Sequence, residues 1–103
     1  MLNKRDFYIN GNWNKPFKKN DFEVINPSNE EPFATISLGS EEDTNASVKA
    51  AKNAFVSWKE TSKEEKLILL EKLLKIYKKR FEDMSNAISM EMGAPIDWSS
   101  SAQ

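Results

Sequence analysis

The sequence predicts an α+β segment: short extended pieces up to about residue 38, two long amphipathic helices over about 41–60 and 63–92, and a further helix starting near 95. Three observations predict it. In the first forty residues, short aromatic and β-branched runs are interrupted by Asn10-Gly11 and Asn26-Pro27. From Val48 onward, apolar residues recur at spacings of three and four. Serine-plus-acid starts and a glycine stop bracket the helical stretches.

Phe7-Tyr8-Ile9-Asn10-Gly11-Asn12-Trp13 reads as a short hairpin. Asn-Gly suits a two-residue type I′ turn, in which both central residues take positive φ. Phe22 to Ile25 forms a second extended piece, stopped at Asn26-Pro27, because proline offers no ladder N–H and holds the residue before it extended. Ser28 to Glu31 turns the chain. Phe33 to Leu38 is a third strand, with Ala34, Ile36 and Leu38 alternating against Phe33, Thr35 and Ser37.

Ser40-Glu41-Glu42-Asp43 opens the first helix, its acids facing the positive end of the helix dipole. Val48, Ala51, Phe55 and Trp58 form its apolar stripe, with Ala46, Ala50 and Ala54 beside it. Ser62-Lys63-Glu64-Glu65 is a capping box for a longer helix running to about Met92. Its stripe, from Leu67 through Leu70, Leu74, Tyr77, Phe81 and Met84 to Ile88, predicts packing against the first helix and a sheet. The same spacing also fits a coiled-coil seam. Gly93 supplies the stop, with Pro95 two residues on. Residues 96–103 then begin a helix that has no end signal, the pattern expected of a segment cut from a larger fold.

Composition excludes several chemistries. The 103 residues contain no cysteine and no histidine, so Cys/His and Ser/His nucleophile pairs, disulfides and thiolate or imidazole zinc sites are ruled out. Three separated glycines cannot build a dinucleotide fingerprint or a P-loop. Fifteen basic against sixteen acidic side chains give a net charge of -1, no field to attract nucleic acid or a membrane surface. Apolar residues are 39% of the chain and charged ones 30%, on the polar side of ordinary domains at about 25% charged. A chain of this size buries only about 60–65% of its unfolded surface, so independent folding is marginal. Leu67-Ile68-Leu69-Leu70 is the longest apolar run and Asp6 interrupts the start, so neither a spanning helix nor a signal peptide is predicted and the expected location is cytoplasmic.

Two features invite a functional reading. Glu91 lies three positions past Ile88, so helical geometry carries the apolar stripe into a carboxylate. Either the last turn faces water there, or the carboxylate serves a cation or a hydrogen-bond site. Lys75, Lys78, Lys79 and Arg80 form a basic run, but Glu71, Glu82 and Asp83 interleave with it, as in Glu71–Lys75 and Lys79–Asp83, which predicts a solvated face rather than a phosphate stripe. No paired carboxylates suited to acid–base catalysis are visible. From the residues alone, the reading ends at a cytosolic α+β piece without a catalytic set of its own.

The order of the motifs adds a resemblance. Phe7 to Trp13, then Val24-Ile25-Asn26-Pro27-Ser28-Asn29-Glu30-Glu31, then Leu38 to Asp43, resembles the start of the NAD(P)-dependent aldehyde dehydrogenases. Ala50 to Trp58 is similar to that family's first-helix pattern, and Glu91-Met92-Gly93-Ala94-Pro95 to its Glu-x-Gly-Lys-Pro segment, with Ala94 in place of lysine. The resemblance covers residues 7–103. It implies an α/β family fold with a Rossmann-type coenzyme domain, of which residues 1–103 are the N-terminal part, the catalytic and oligomerisation domains being absent.

It further implies oxidation of aldehydes to carboxylic acids with NAD or NADP in a homo-oligomer, dimer or tetramer. A cysteine thiolate attacks the carbonyl, hydride passes to the coenzyme, and a glutamate-activated water releases the acid. None of those catalytic or coenzyme-binding groups falls within this sequence, so the chain alone is expected to be inactive. One implied feature does fall within it: a monovalent cation, Na or K, held by the carbonyls of Ile25 and Val24 and by the Glu91 carboxylate. Trp98 is placed near the substrate tunnel. The rival readings are a stand-alone, non-catalytic helical interaction module and a small nucleic-acid binder.

Overall fold

A computed structural model describes residues 1–102. They form two compact units: Met1–Val24 with Pro32–Glu60, and Ile25–Glu31 with the residues from Thr61 onward.

In the first unit, β2 (Phe7–Ile9) and β3 (Asn12–Asn14) make the expected hairpin. Phe7 pairs with Asn14, Tyr8 with Trp13 and Ile9 with Asn12. Asn10 and Gly11 sit at φ 54° and 80°, the left-handed geometry that the turn requires. Directly opposed in the ladder, the Tyr8 and Trp13 rings have centroids 5.2 Å apart. A three-stranded sheet has the order β1-β5-β4, where β1 is Leu2–Lys4, β4 is Asp21–Asn26 and β5 is Glu31–Ser37.

β1 was not anticipated. Leu-Asn-Lys carries no alternation, and it is a strand because it runs parallel to β5, Leu2 beside Ala34 and Lys4 beside Ile36. With neighbours on both edges, β5 is the most covered element: Ala34, Thr35 and Ser37 are buried. Leu38, read as the last residue of this strand, lies beyond it and is exposed.

Helix α1 (Glu41–Trp58) starts as its sequence dictates. The Ser40 N–H donates to Asp43 Oδ2 at 2.9 Å, and the Asp43 N–H donates to Ser40 Oγ at 3.3 Å, completing a capping box. α1 packs against β2. Ala50, Ala51 and Ala54 border a small hollow with Tyr8 and Ile9, the close approach that small side chains permit. Val48, Phe55 and Trp58 are exposed.

In the second unit, α2 (Lys63–Lys79) opens on the Ser62–Glu65 capping box, with N–H to Oγ at 3.1 Å and N–H to Oε2 at 3.0 Å. The single helix expected over 63–92 is two: α3 (Phe81–Met92) begins after a break at Arg80, whose φ and ψ are -107° and 17°. The Arg80 N–H is shared between the carbonyls of Ile76 and Tyr77, at 3.1 and 3.0 Å. No glycine or proline marks the place. A straight α-helix drifts about 20° per heptad from a strict seven-residue repeat, and this stripe keeps that repeat from Leu67 to Ile88. A break between Tyr77 and Phe81 re-aims the second half, and the two rings meet edge-on, centroids 6.1 Å apart.

A second correction concerns what the stripe does. Packing was expected, yet no residue of α2 is buried, and Leu67, Leu70 and Leu74 are all exposed. Among the described residues, Ala34 is the one buried apolar side chain. In this unit the most extensive helix packing is between α3 and α4 (Ile96–Ser101), and α2 also meets α3. Their most buried side chains are Ser85 and Ser99, both small enough for close helix approach. The helix expected from about 95 is therefore present through Ser101, and Gln103 lies outside the described residues.

Candidate functional site

Two of the three predicted site residues, Ile25 and Glu91, fall in the second unit, Glu91 at the C-terminal end of α3. Gly93 terminates that helix in the left-handed conformation, φ 70°, and its N–H donates to the Ser89 carbonyl at 2.9 Å. The Ser89 hydroxyl turns back to the Ala94 carbonyl at 2.7 Å, fixing the exit of the chain. Against this cap sits the turn between β4 and β5. A Cβ placed on Gly93 would lie 2.8 Å from Pro27 Cγ, so glycine is what allows the Asn-Pro turn to seat there.

The turn is held by its own side chains. Asn26 Oδ1 accepts from the Ser28 N–H at 2.9 Å, and the Asn26 carbonyl accepts from the Glu30 N–H at 2.8 Å. Glu30 takes φ 61°, an uncommon value for a residue with a side chain, and Asn29 Oδ1 caps the Glu31 N–H at 3.1 Å.

Ile25 is exposed and immediately precedes that turn; Glu91 is exposed on the last turn of α3, two residues before the glycine that the turn touches. The structure thus gathers Ile25 and Glu91 in one unit, around contacting segments. Val24 is half-buried and belongs to the other unit. At the end of α3 the oxygen donors are the Glu91 carboxylate and the last-turn carbonyls at the negative end of the helix dipole, hard-oxygen chemistry of the kind that alkali cations prefer. Among the described residues no three His, Cys, Asp or Glu side chains cluster as a metal site. Glu91 is helical and faces outward, so its place on the apolar stripe reflects a stripe that is itself open. Trp98 is also exposed, on α4.

The first unit carries two polar arrangements that the sequence reading missed. Asp43 does more than close its capping box: Oδ1 accepts from the Phe17 N–H at 3.0 Å, tying the loop before β4 to the start of α1. The backbone donors of Ser40 and Phe17 hold its carboxyl below the usual aspartate range. Asp21 receives Arg5 Nε at 3.1 Å and Nη2 at 3.2 Å, with Lys19 at 3.5 Å. The Arg5 hydrogen bond, and then the cationic charges, lower its pKa against the opposing effect of burial. This pair lies in an open cleft of about 810 Å³ bordered by Lys4, Lys15, Trp13 and Ser37. Separations of 16 and 26 residues put both contacts beyond any local motif.

The basic run is a solvated face, as expected, though its ion pair is Arg80–Asp83 at 3.3 Å rather than Lys79–Asp83. No helix among the described residues is long and apolar enough to cross a membrane. Among the described residues, no arrangement above presents an activated nucleophile or a general acid–base pair.

Comparison with known proteins supplies what the local chemistry does not. The family model described as "Aldehyde dehydrogenase family" matches residues 13–102. The chain is 42% identical over 96 residues to a 3-succinoylsemialdehyde-pyridine dehydrogenase of Pseudomonas sp., which covers 93% of this chain and 20% of the relative. Among solved structures, it is similar to an aldehyde dehydrogenase from Bartonella henselae, with a TM-score of 0.98 and 56% identity over 99% of this chain and 21% of that one. It is also similar to a mutant of aldehyde dehydrogenase C from Pseudomonas syringae in complex with NAD+ and octanal, with a TM-score of 0.92 and 35% identity over 94% of this chain and 20% of that one. The chain therefore spans about a fifth of the length of the relatives it matches. On the match from residue 13 to 102 and the shared backbone, it belongs to the aldehyde dehydrogenase family.

Proposed function

We propose that this chain serves as the N-terminal part of an enzyme that oxidises aldehydes to carboxylic acids with NAD+ or NADP+. The observation that carries the reading is the backbone match to the Bartonella henselae enzyme over 99% of this chain, at 56% identity. Within such an enzyme the chain contributes no reacting group. It has neither a cysteine for the thiolate nor a glycine-rich phosphate loop, so its role is to build and brace the fold that positions both.

The coenzyme, when bound, accepts the hydride; the residues that hold it belong to the part of the fold that this chain does not span. Oxidation of an aliphatic aldehyde is supported by the octanal complex of the Pseudomonas syringae relative, and NAD+ by the coenzyme in that same complex. A homo-oligomeric assembly, dimer or tetramer, belongs to the same reading. So does an alkali cation, Na+ or K+, at the carbonyls of Val24 and Ile25 and the Glu91 carboxylate. It is supported by the oxygen-only donors at the end of α3 and by the Pro27–Gly93 contact that brings the Asn-Pro turn to them.

The test is a fusion in which residues 1–102 of this chain replace the matching fifth of the Bartonella henselae enzyme. The fusion is expected to form reduced coenzyme from NAD+ and an aldehyde that the parent enzyme oxidises, with NADP+ assayed alongside. A folded fusion that reduces neither coenzyme, beside an active parent, overturns the reading.

A further inference from the structure

The cleft beside Arg5 and Asp21 lies wholly within the first unit, and its charges do not cancel. Lys4, Arg5, Lys15 and Lys19 line it against only Asp6 and Asp21, on a chain whose net charge is -1. Asp21 is already committed. It takes Nε and Nη2 of Arg5 at 3.1 and 3.2 Å and Lys19 Nζ at 3.5 Å, which leaves the Arg5 Nη1 donors to spare. Among the described residues Lys4 and Lys15 have no carboxylate partner. At about 810 Å³ the cleft has the volume of a small-molecule site, commonly about 300–1,000 Å³.

Two further groups give the cleft its selectivity. Trp13 borders it and is 71% exposed, yet its ring is steadied by the Tyr8 ring across the hairpin, centroids 5.2 Å apart. A steadied, open aromatic ring is a platform for a planar ligand. Ser37, on the doubly flanked strand β5, is 7% exposed, and its Oγ has no hydrogen-bond partner. Buried hydroxyls are nearly always bonded, so an unsatisfied one in the lining of a cationic cleft is a polar group that a ligand can engage.

We propose that this cleft binds a small aromatic anion, a phosphate or carboxylate borne on a planar ring, with the anionic group toward Lys4, Lys15 and Arg5 and the ring on Trp13. A neutral aromatic leaves the two unpaired lysines unanswered, and a bare inorganic anion leaves the Trp13 face open. Both parts of the ligand are therefore required. The site stands apart from aldehyde oxidation and from the family reading, because each residue it uses belongs to this chain.

The experiment follows the three indole N–H signals, of Trp13, Trp58 and Trp98, by nuclear magnetic resonance in the free chain and in the fusion. Trp13→Phe assigns the first of them. Phenyl phosphate and benzoate are titrated as ligands, with inorganic phosphate and phenol as the anion and the ring alone. The Trp13 signal is expected to move saturably with phenyl phosphate or benzoate while those of Trp58 and Trp98 stay, and whichever binds tighter names the anionic group. Inorganic phosphate and phenol are each expected to bind at least tenfold more weakly. Replacing Lys4 and Lys15 together with glutamine is expected to weaken binding about tenfold, as the loss of charge-assisted hydrogen bonds does. Both lysines are exposed, so the Tyr8–Trp13 cross-strand contact should persist in that variant. Lys52→Gln, on α1 and outside the cleft, is expected to leave binding unchanged.

No saturable shift of the Trp13 signal in either protein overturns the proposal. So does phenol or inorganic phosphate binding as tightly as phenyl phosphate, or a shift shared equally by all three indoles. A Lys4→Gln/Lys15→Gln variant that keeps its hairpin and binds as before overturns it as well.

Discussion

Pro27 and Gly93 are in contact across the chain: the proline ring fills the space a Cβ on Gly93 would need, at 2.8 Å from Cγ. Gly93 also holds φ 70°, so two separate penalties attach to any side chain there. Gly11 is the control, because it holds φ 80° but has nothing within 4 Å of its missing Cβ. Gly11→Asn is expected to be nearly neutral, since asparagine tolerates the left-handed region. Gly93→Asn keeps that tolerance and still meets Pro27, so it should lower the thermal midpoint of the fusion clearly. Gly93→Ala adds about 1–2 kcal/mol of left-handed strain to the overlap. Pairing it with Pro27→Ala should recover the overlap and leave the strain, a coupling that a double-mutant cycle measures. Strict additivity would mean that the turn does not press on the cap.

The start of α1 depends on a charge. Asp43 accepts from the backbone N–H groups of Ser40 and Phe17, which lower its pKa, and Glu65 is lowered likewise by its bonds from Ser62. A carboxylate whose folded pKa lies below the unfolded one stabilises fully above the unfolded value, about 3.9 for aspartate and 4.3 for glutamate. That contribution is lost as pH falls through this value toward the lower folded one. Helical circular dichroism should therefore decline as pH falls below about 4–5. Asp43→Asn should start lower and show a shallower decline, and Ser40→Ala should cost about 1 kcal/mol of helix stability at neutral pH. An acid limb identical in the wild type and in Asp43→Asn would show that another carboxylate governs it.

The local code accounts for how much of this was legible. Asn10-Gly11, Ser40-x-x-Asp43, Ser62-x-x-Glu65 and Gly93 each specify a backbone geometry within a few residues, and each is found where it was read. What escaped depends on distant partners. Strand β1 exists through β5, some thirty residues away, and Asp43 reaches Phe17 across 26 residues. The break at Arg80 was hidden because the apolar spacing continues through it unbroken. For the site, Glu91 stood out as a carboxylate on an apolar stripe, but the Pro27–Gly93 contact that brings the Asn-Pro turn to it has no local sign beyond the two residue types themselves.

The corner at Glu91 makes a salt-specific prediction. If the carboxylate and the strand-end carbonyls hold an alkali cation in the complete fold, the fusion should melt at a higher temperature in K+ or Na+ than in choline at matched ionic strength. Glu91→Gln should remove that difference while altering the choline midpoint little, because Glu91 is exposed at the end of α3 and its loss leaves no buried gap. A crystal of the fusion should show an ion about 2.3–2.8 Å from a Glu91 oxygen. Equal midpoints in all three salts would remove the cation from the account.

Exposure of the apolar faces governs how the free chain behaves. Ala34 is the one buried apolar residue among those described, whereas Phe55, Val56, Leu70 and Leu73 are each at least 59% exposed. Burial of apolar area drives cooperative folding, so helices held mainly by their caps and backbone bonds should melt broadly. The free chain is expected to bind a hydrophobic dye, to self-associate as concentration rises, and to lose helix over a wide temperature range. Replacing Leu70 and Leu73 together with glutamate should suppress dye binding and association without lowering helix content at neutral pH, since neither side chain is covered. A sharp, reversible transition without dye binding would mean that the chain closes a core of its own, and that the bare face of α2 is covered from within.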